Sequence, residues 1–163
     1  MITREQVLEN RKIWINFLKK KDRKKAYGAL DEGGGKRCCL GHACYVLGIE
    51  RRNDGPDHPI YYGAKLEDAF APDELIEAVG LWDNDGSVRS GPSFHIKGKQ
   101  FQSLAAANDA ETVYDYDEED NVVMSDFNAT PQQIGAYLES VIQGGDNTPF
   151  IPLSKYKKAK ISK

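Results

Sequence analysis

No apolar run in this chain approaches the roughly 20 residues that a membrane span needs, and Met1-Ile2-Thr3-Arg4-Glu5 lacks the apolar core of a secretory signal. Cysteine is scarce as well. There are three, an odd number, and the adjacent pair is strained for mutual bonding. That argues against a disulfide framework and for free thiols in a reducing cytoplasm. No internal repeat is present, nor any C-x-x-C pair of the zinc kind, and no metal site is expected. Gly33-Gly34-Gly35-Lys36-Arg37 is not a Walker A sequence, because no Gly-Lys-Ser/Thr opens a helix behind it. ATP hydrolysis is therefore not expected, and no cofactor is called for.

What the chain has is 163 residues and 40% apolar content, enough for one domain around one core. The net charge of −3 conceals a segregation. Residues 1–52 carry 13 Lys/Arg against 6 Asp/Glu, residues 53–154 carry 4 against 19, and residues 155–163 carry 5 lysines and no acid. A basic helix and a basic tail suit phosphate, but the acidic middle repels it unless the fold separates them. A solvated helix face is the commoner outcome of such a run, so nucleic acid is the less favoured partner.

The local signals predict an α+β fold, a single domain over 1–150 with a lysine-rich flexible tail over 151–163. Thr3 to Gln6 is a capping box, and Val7, Trp14 and Leu18 follow at helical spacing, so a first helix should run from about Arg4 to about Asp22. The glycine run should be a flexible loop leading to a second helix, from Cys39 to Leu47, with Gly48 as its stop. Residues 51–63 read as loop. Pro72 opens a third helix ending before Gly80. A hairpin is expected across Gly91-Pro92, then a helix from Phe101 to Asn108 and a second hairpin from Thr112 to Met124. Thr130-Pro131-Gln132-Gln133 caps a last helix. The predicted shared core is Trp14, Leu18, Leu40, Cys44, Leu47, Ile134, Leu138 and Val141. That makes about five helices with one or two small antiparallel hairpins.

All three cysteines fall within Arg37-Cys38-Cys39-Leu40-Gly41-His42-Ala43-Cys44. A thiol at a helix start feels the positive end of the dipole, and Lys36 and Arg37 add charge, so its pKa is open to lowering. Three readings compete: packing, a reactive thiol, and a metal ligand, in that order. If the chain is an enzyme, Cys39 or Cys38 is the nucleophile, with His95 or His42 as base. Cys44, on the apolar face with Leu40 and Leu47, belongs to the core. If the chain is a binder, Lys36, Arg37 and Gly41 at the helix start, with Asn108 and Asp109 facing them, frame a small anion pocket. Arg37 is then expected to be exposed. Asp115, Asp117, Glu119 and Asp126 match positions of a calcium loop, but Asp120 stands where glycine is needed, so an acidic hairpin tip is favoured.

The order of these motifs resembles a group of small bacteriophage and prophage proteins of unestablished function with a Cys-Cys-Leu-Gly-x-x-Cys core. The matching residues here are Trp14, Cys38, Cys39, Leu40, Gly41, Cys44, Pro72, Gly80-Leu81, Asn108-Asp109 and the stretch from Thr130 to Ile134. The resemblance implies phage origin, the host cell cytoplasm as location, and one compact domain. It implies no activity. Two function classes follow. One is an accessory protein that binds a host protein or a small anionic, nucleotide-like ligand, with the countering of host defence as a role open to it. The other is a cysteine-nucleophile hydrolase or transferase.

Overall fold

Thr3 closes the first turn of α1 (Arg4–Leu18): its hydroxyl accepts from the Gln6 amide, and the Gln6 side chain accepts from Thr3 N at 2.8 Å. In the computed structural model, which describes residues 1–161 except 91, 92, 110, 111, 117, 118, 120, 121, 127 and 128, α1 buries Val7, Arg11, Trp14, Ile15 and Leu18. That is a single helical stripe. The helix ends four residues earlier than predicted, with Lys19 as its C-cap. Lys19 to Asp22 offer no apolar side chain to extend the stripe.

Arg11 occupies a core position on that stripe. Its guanidinium donates to the carbonyls of Val79 (2.7 Å), Gly80 (3.3 Å), Ile142 and Ile151 (both 2.8 Å), and lies 4.2 Å from the Phe150 ring centroid. Burial lowers its pKa to about 10, so it remains a cation at neutral pH. Val79 and Gly80 end α3 (Asp73–Val79), where unpaired carbonyls and the negative end of the dipole welcome positive charge.

Next come three short strands, β1 (Lys24–Lys25), β2 (Asp31–Gly33) and β3 (Lys36–Arg37), in the sheet order β1-β3-β2. The glycine run, predicted as a flexible loop, is instead the turn of the β2–β3 hairpin. β3 leads directly into α2 (Cys39–Val46), whose N-cap is Cys38. Residues 51–63, predicted as loop, hold a second hairpin, β4 (Arg51–Asn53) with β5 (Ile60–Tyr62). Its strands are three residues each, too short for alternation to stand out against the Pro, Gly and Asp between them. Ile60 and Tyr62 nevertheless point into the core.

The third hairpin is displaced from its predicted place: β6 (Phe94–Ile96) pairs with β7 (Lys99–Phe101) across Lys97-Gly98. Positive φ at both turn residues, 53° and 75°, gives the twist that a two-residue turn needs. Gly91-Pro92 lies outside the described residues. Phe101 thus belongs to a strand, and α4 (Leu104–Asn108) starts later than predicted, at a Ser103 N-cap. The fourth hairpin, β8 (Thr112–Tyr116) with β9 (Val122–Asp126), is the predicted one. α5 (Pro131–Ser140) begins with the Thr130 capping box and packs on α1.

The fold is α+β, as predicted: five helices and small antiparallel strand pairs among the described residues. Of the predicted core, Trp14, Leu18, Leu40, Cys44, Ile134 and Leu138 are buried in one cluster, with Leu47 and Val141 half-buried against it. Beyond Pro152, where loose chain was predicted, a 3-10 turn at Leu153–Lys155 buries Leu153. Lys157 O then accepts from Arg4 N at 2.9 Å, and Glu5 accepts from Ala159 N at 2.8 Å. The lysines of this segment follow the start of α1. Lys19, Lys20 and Lys21 stand at its other end, roughly 20 Å away at 1.5 Å per residue. No helix among the described residues is long and apolar enough to cross a membrane.

Candidate functional site

Much of the cysteine segment's polar surface is held by its own chain. Cys38 Sγ accepts from Gly41 N (3.3 Å), Asn108 Oδ1 accepts from Cys39 N (3.1 Å), and Trp14 Nε1 donates to Cys39 O (3.0 Å). Cys39 Sγ faces the carbonyl of Leu104. Gly41 admits a close approach: a Cβ there would fall inside the carbonyl of Leu30, which itself accepts from Cys38 N (3.2 Å). All three thiols are buried. Burial pushes Cys38 up to about 12 and raises Cys39 and Cys44 well above their ordinary value. The predicted lowering at a helix start does not appear, because desolvation outweighs the one or two amide hydrogen bonds.

Arg37, predicted to be exposed, is 7% exposed. Its Nε donates to Asp31 Oδ2 at 3.0 Å, and the same oxygen accepts from Arg51 Nε (3.0 Å) and Tyr62 OH (2.6 Å). Burial raises the Asp31 carboxyl, but Tyr62, the Gly33 amide, Arg51 and Arg37 together bring it below its ordinary value. The predicted ligand arginine is therefore half of a structural ion pair. The reason lies in register: β2 pairs with β3 so that Asp31 stands opposite Arg37.

Asn108 stands at the start of α2, where it accepts from Cys39 N, with Asp109 beside it. Asn108 Nδ2 donates to Ala26 O (2.8 Å) and to Asp109 Oδ1 (3.0 Å), and Asp109 Oδ1 also accepts from Gly28 N (3.0 Å). A pocket of about 160 Å³ lies there, bounded by Cys38, Leu40, Ala105 and Asp109 among others. Its one charged lining residue is a carboxylate, and the amides of Cys39 and Gly41 are already taken. It is a poor anion site. A larger cavity, about 570 Å³, is lined by Asp31, Glu32, Asp68 and His58 among others, and it too is acidic.

The histidines do not gather round the thiols. His42 is fully buried, with Nε2 donating to Lys24 O (2.7 Å) and Nδ1 without a partner. Burial lowers its pKa to about 4, so it is neutral at pH 7. His95 is exposed on β6, in a groove shared with Gln132, Gln133 and Tyr137 of α5 and with no cysteine in its lining. Among the described residues, no group of three or more His, Cys, Asp or Glu could hold a metal ion. Of the calcium-loop pattern, Asp117 and Asp120 lie outside the described residues, as do the side chains of Asp115 and Asp126, while Glu119 is exposed.

What remains open is a basic rim. β1 and β3 run parallel with Lys24 opposite Lys36, both exposed, while Lys25 and Arg37 turn inward. Lys20 and Lys21 at the end of α1 are exposed too. None of Lys20, Lys21, Lys24 or Lys36 makes an ion pair among the described residues. Aromatic rings adjoin them: Arg23 lies 3.6 Å and Lys20 5.9 Å from the Phe17 ring centroid, Tyr45 lies 6.0 Å from Phe17, and Arg37 stands 3.7 Å from the Tyr45 ring. Of the predicted ligand residues, Lys36 alone stands in this rim with its charge free. Sequence reading missed Lys24, Phe17 and Tyr45, although the two basic dipeptides on either side of the glycine hairpin were a usable signal.

Against known proteins, the chain matches no family model, no curated protein and no solved structure.

Proposed function

We propose that this protein acts by binding an anionic partner, and that the contact is the rim of Lys20, Lys21, Lys24 and Lys36. One observation carries the reading: Lys24 and Lys36 stand in register on adjacent strands, exposed and without a counter-ion among the described residues. Like charges directly opposite each other destabilise a strand pair. A phosphate-bearing partner removes that repulsion. The Cys-Cys-Leu-Gly resemblance adds the context of a phage accessory protein. Burial of all three thiols in their protonated form favours a binder over a cysteine nucleophile.

Inorganic polyphosphate is the simplest probe. Calorimetry at low salt should show binding that weakens steeply as salt rises, with the chain length of the recovered polyphosphate unchanged by phosphorus NMR. Absence of binding at low salt, or equal binding by a Lys24→Ala/Lys36→Ala variant, would overturn the reading. Shortening of the polyphosphate would make the protein an enzyme.

A further inference from the structure

The rim is not merely basic, because it carries an open aromatic face. Tyr45 is 49% exposed, yet Arg37, whose guanidinium lies 3.7 Å from its ring centroid, is only 7% exposed. The buried guanidinium lies against the ring, and about half of the tyrosine's surface stays open to solvent. Arg37 is itself fixed by Asp31, so the ring rests on a rigid support. Phe17 stands beside it, 6.0 Å from Tyr45, with Arg23 across its own ring at 3.6 Å. Phe17 packs over the buried His42 at 5.6 Å, and His42 Nε2 holds the backbone of Lys24. Lys20 lies 5.9 Å from the Phe17 ring, Phe17 adjoins Tyr45, and Lys24, paired with Lys36, is tied through its backbone to the His42 that Phe17 packs on. An acid beside them, Asp22, lies 3.7 Å from Arg23 and is exposed.

We infer that this surface binds single-stranded nucleic acid, with an unpaired base stacked on Tyr45 and the flanking phosphates on Lys20, Lys24 and Lys36. The inference rests on the anionic-partner reading and narrows it. Lysines alone would serve a duplex or polyphosphate equally well. An exposed aromatic face among backbone-neutralising cations is what single strands use, because every unpaired base offers a π-face whatever its identity. Duplex bases are stacked on each other and cannot take that place. The contact is sequence-tolerant, because nothing in the surface reads base edges.

Fluorescence anisotropy with a labelled oligothymidylate tests this, with the same strand annealed to its complement, and polyphosphate, as comparisons. The single strand should bind about tenfold or more tightly than the duplex. Tyr45→Leu, which still covers Arg37, should weaken single-strand binding by about tenfold and leave polyphosphate binding unchanged, while Tyr45→Trp should retain it. Lys24→Ala/Lys36→Ala should lower the slope of log affinity against log salt by about 1.4, at roughly 0.7 for each phosphate that no longer meets a lysine. If polyphosphate binds through the lysines but Tyr45→Leu changes nothing, or the duplex binds as well as the single strand, this inference fails and the anionic-partner reading stands. If neither polyphosphate nor oligonucleotide binds, both fall. Circular dichroism of each variant separates weakened binding from an unfolded chain.

Discussion

Arg11 and the lysine pair of β1 and β3 are cations of the same chain in opposite circumstances. Arg11 is fully buried, and its planar fork reaches four carbonyls contributed by the ends of two helices and the chain after them. Lys24 and Lys36 are exposed, stand opposite each other, and have no counter-ion among the described residues. The cysteine segment sides with Arg11: the Cys39 and Gly41 amides, the Asn108 amide and the Asp31–Arg37 pair are satisfied within the fold. Where the chain answers its own polar groups, they hold architecture. Where it sets like charges side by side without a counter-ion among the described residues, the proposed anionic partner would supply the answer.

The largest way to test the first half of that contrast is Arg11→Met. It fills similar space but leaves the carbonyls of Val79, Gly80, Ile142 and Ile151 without their donor, and should cost about 4 kcal/mol in denaturant unfolding. Arg11→Lys should not rescue it, since a point ammonium cannot span four acceptors.

Next in size is acid sensitivity. His42 is neutral when folded, with a pKa of about 4, and its ordinary value is 6.5. Between those values the unfolded chain binds a proton that the native one refuses, so stability should fall as pH drops from 6.5 to 4. The slope is about 1.4 kcal/mol per pH unit at most, and the total loss about 3 kcal/mol. His42→Gln should flatten that window in a series of unfolding curves. A slope that survives the substitution would assign it to other groups.

A kinetic test bears on the thiols. In the native protein at pH 7.5, iodoacetamide should label Cys38, Cys39 and Cys44 at least tenfold more slowly than a free-thiol control, and all three at ordinary rates in denaturant. Rapid native labelling of Cys38 or Cys39 would revive the nucleophile.

Local rules made the two capping boxes, the Cys39 helix and the Thr112 hairpin legible, because each depends on residues within a few positions of one another. The partners of Arg11 lie 68 to 140 residues away, so no window could show them. Its position was still a clue: Arg11 falls four after Val7 and three before Trp14, on the buried stripe. The β1 and β3 strands are two residues each and too short for any periodicity, so the Lys24–Lys36 pairing was hidden even though both residues were conspicuous. At the cysteine motif the residues were legible and their meaning was not. The dipole argument pointed to a lowered pKa, and burial, a tertiary property, reversed it.

The smallest expected effect on stability is also the most direct test of the contrast. Unfolding free energies of the wild type and of Lys24→Ala/Lys36→Ala should be measured with and without polyphosphate, in one low-salt buffer. Without it, the variant should be as stable as the wild type or more stable by about 0.5 kcal/mol, because cross-strand repulsion has gone. With it, only the wild type should gain stability. A variant destabilised by more than about 1 kcal/mol in plain buffer would show these lysines to be structural after all. A polyphosphate-induced gain equal in both proteins would place the anionic contact elsewhere.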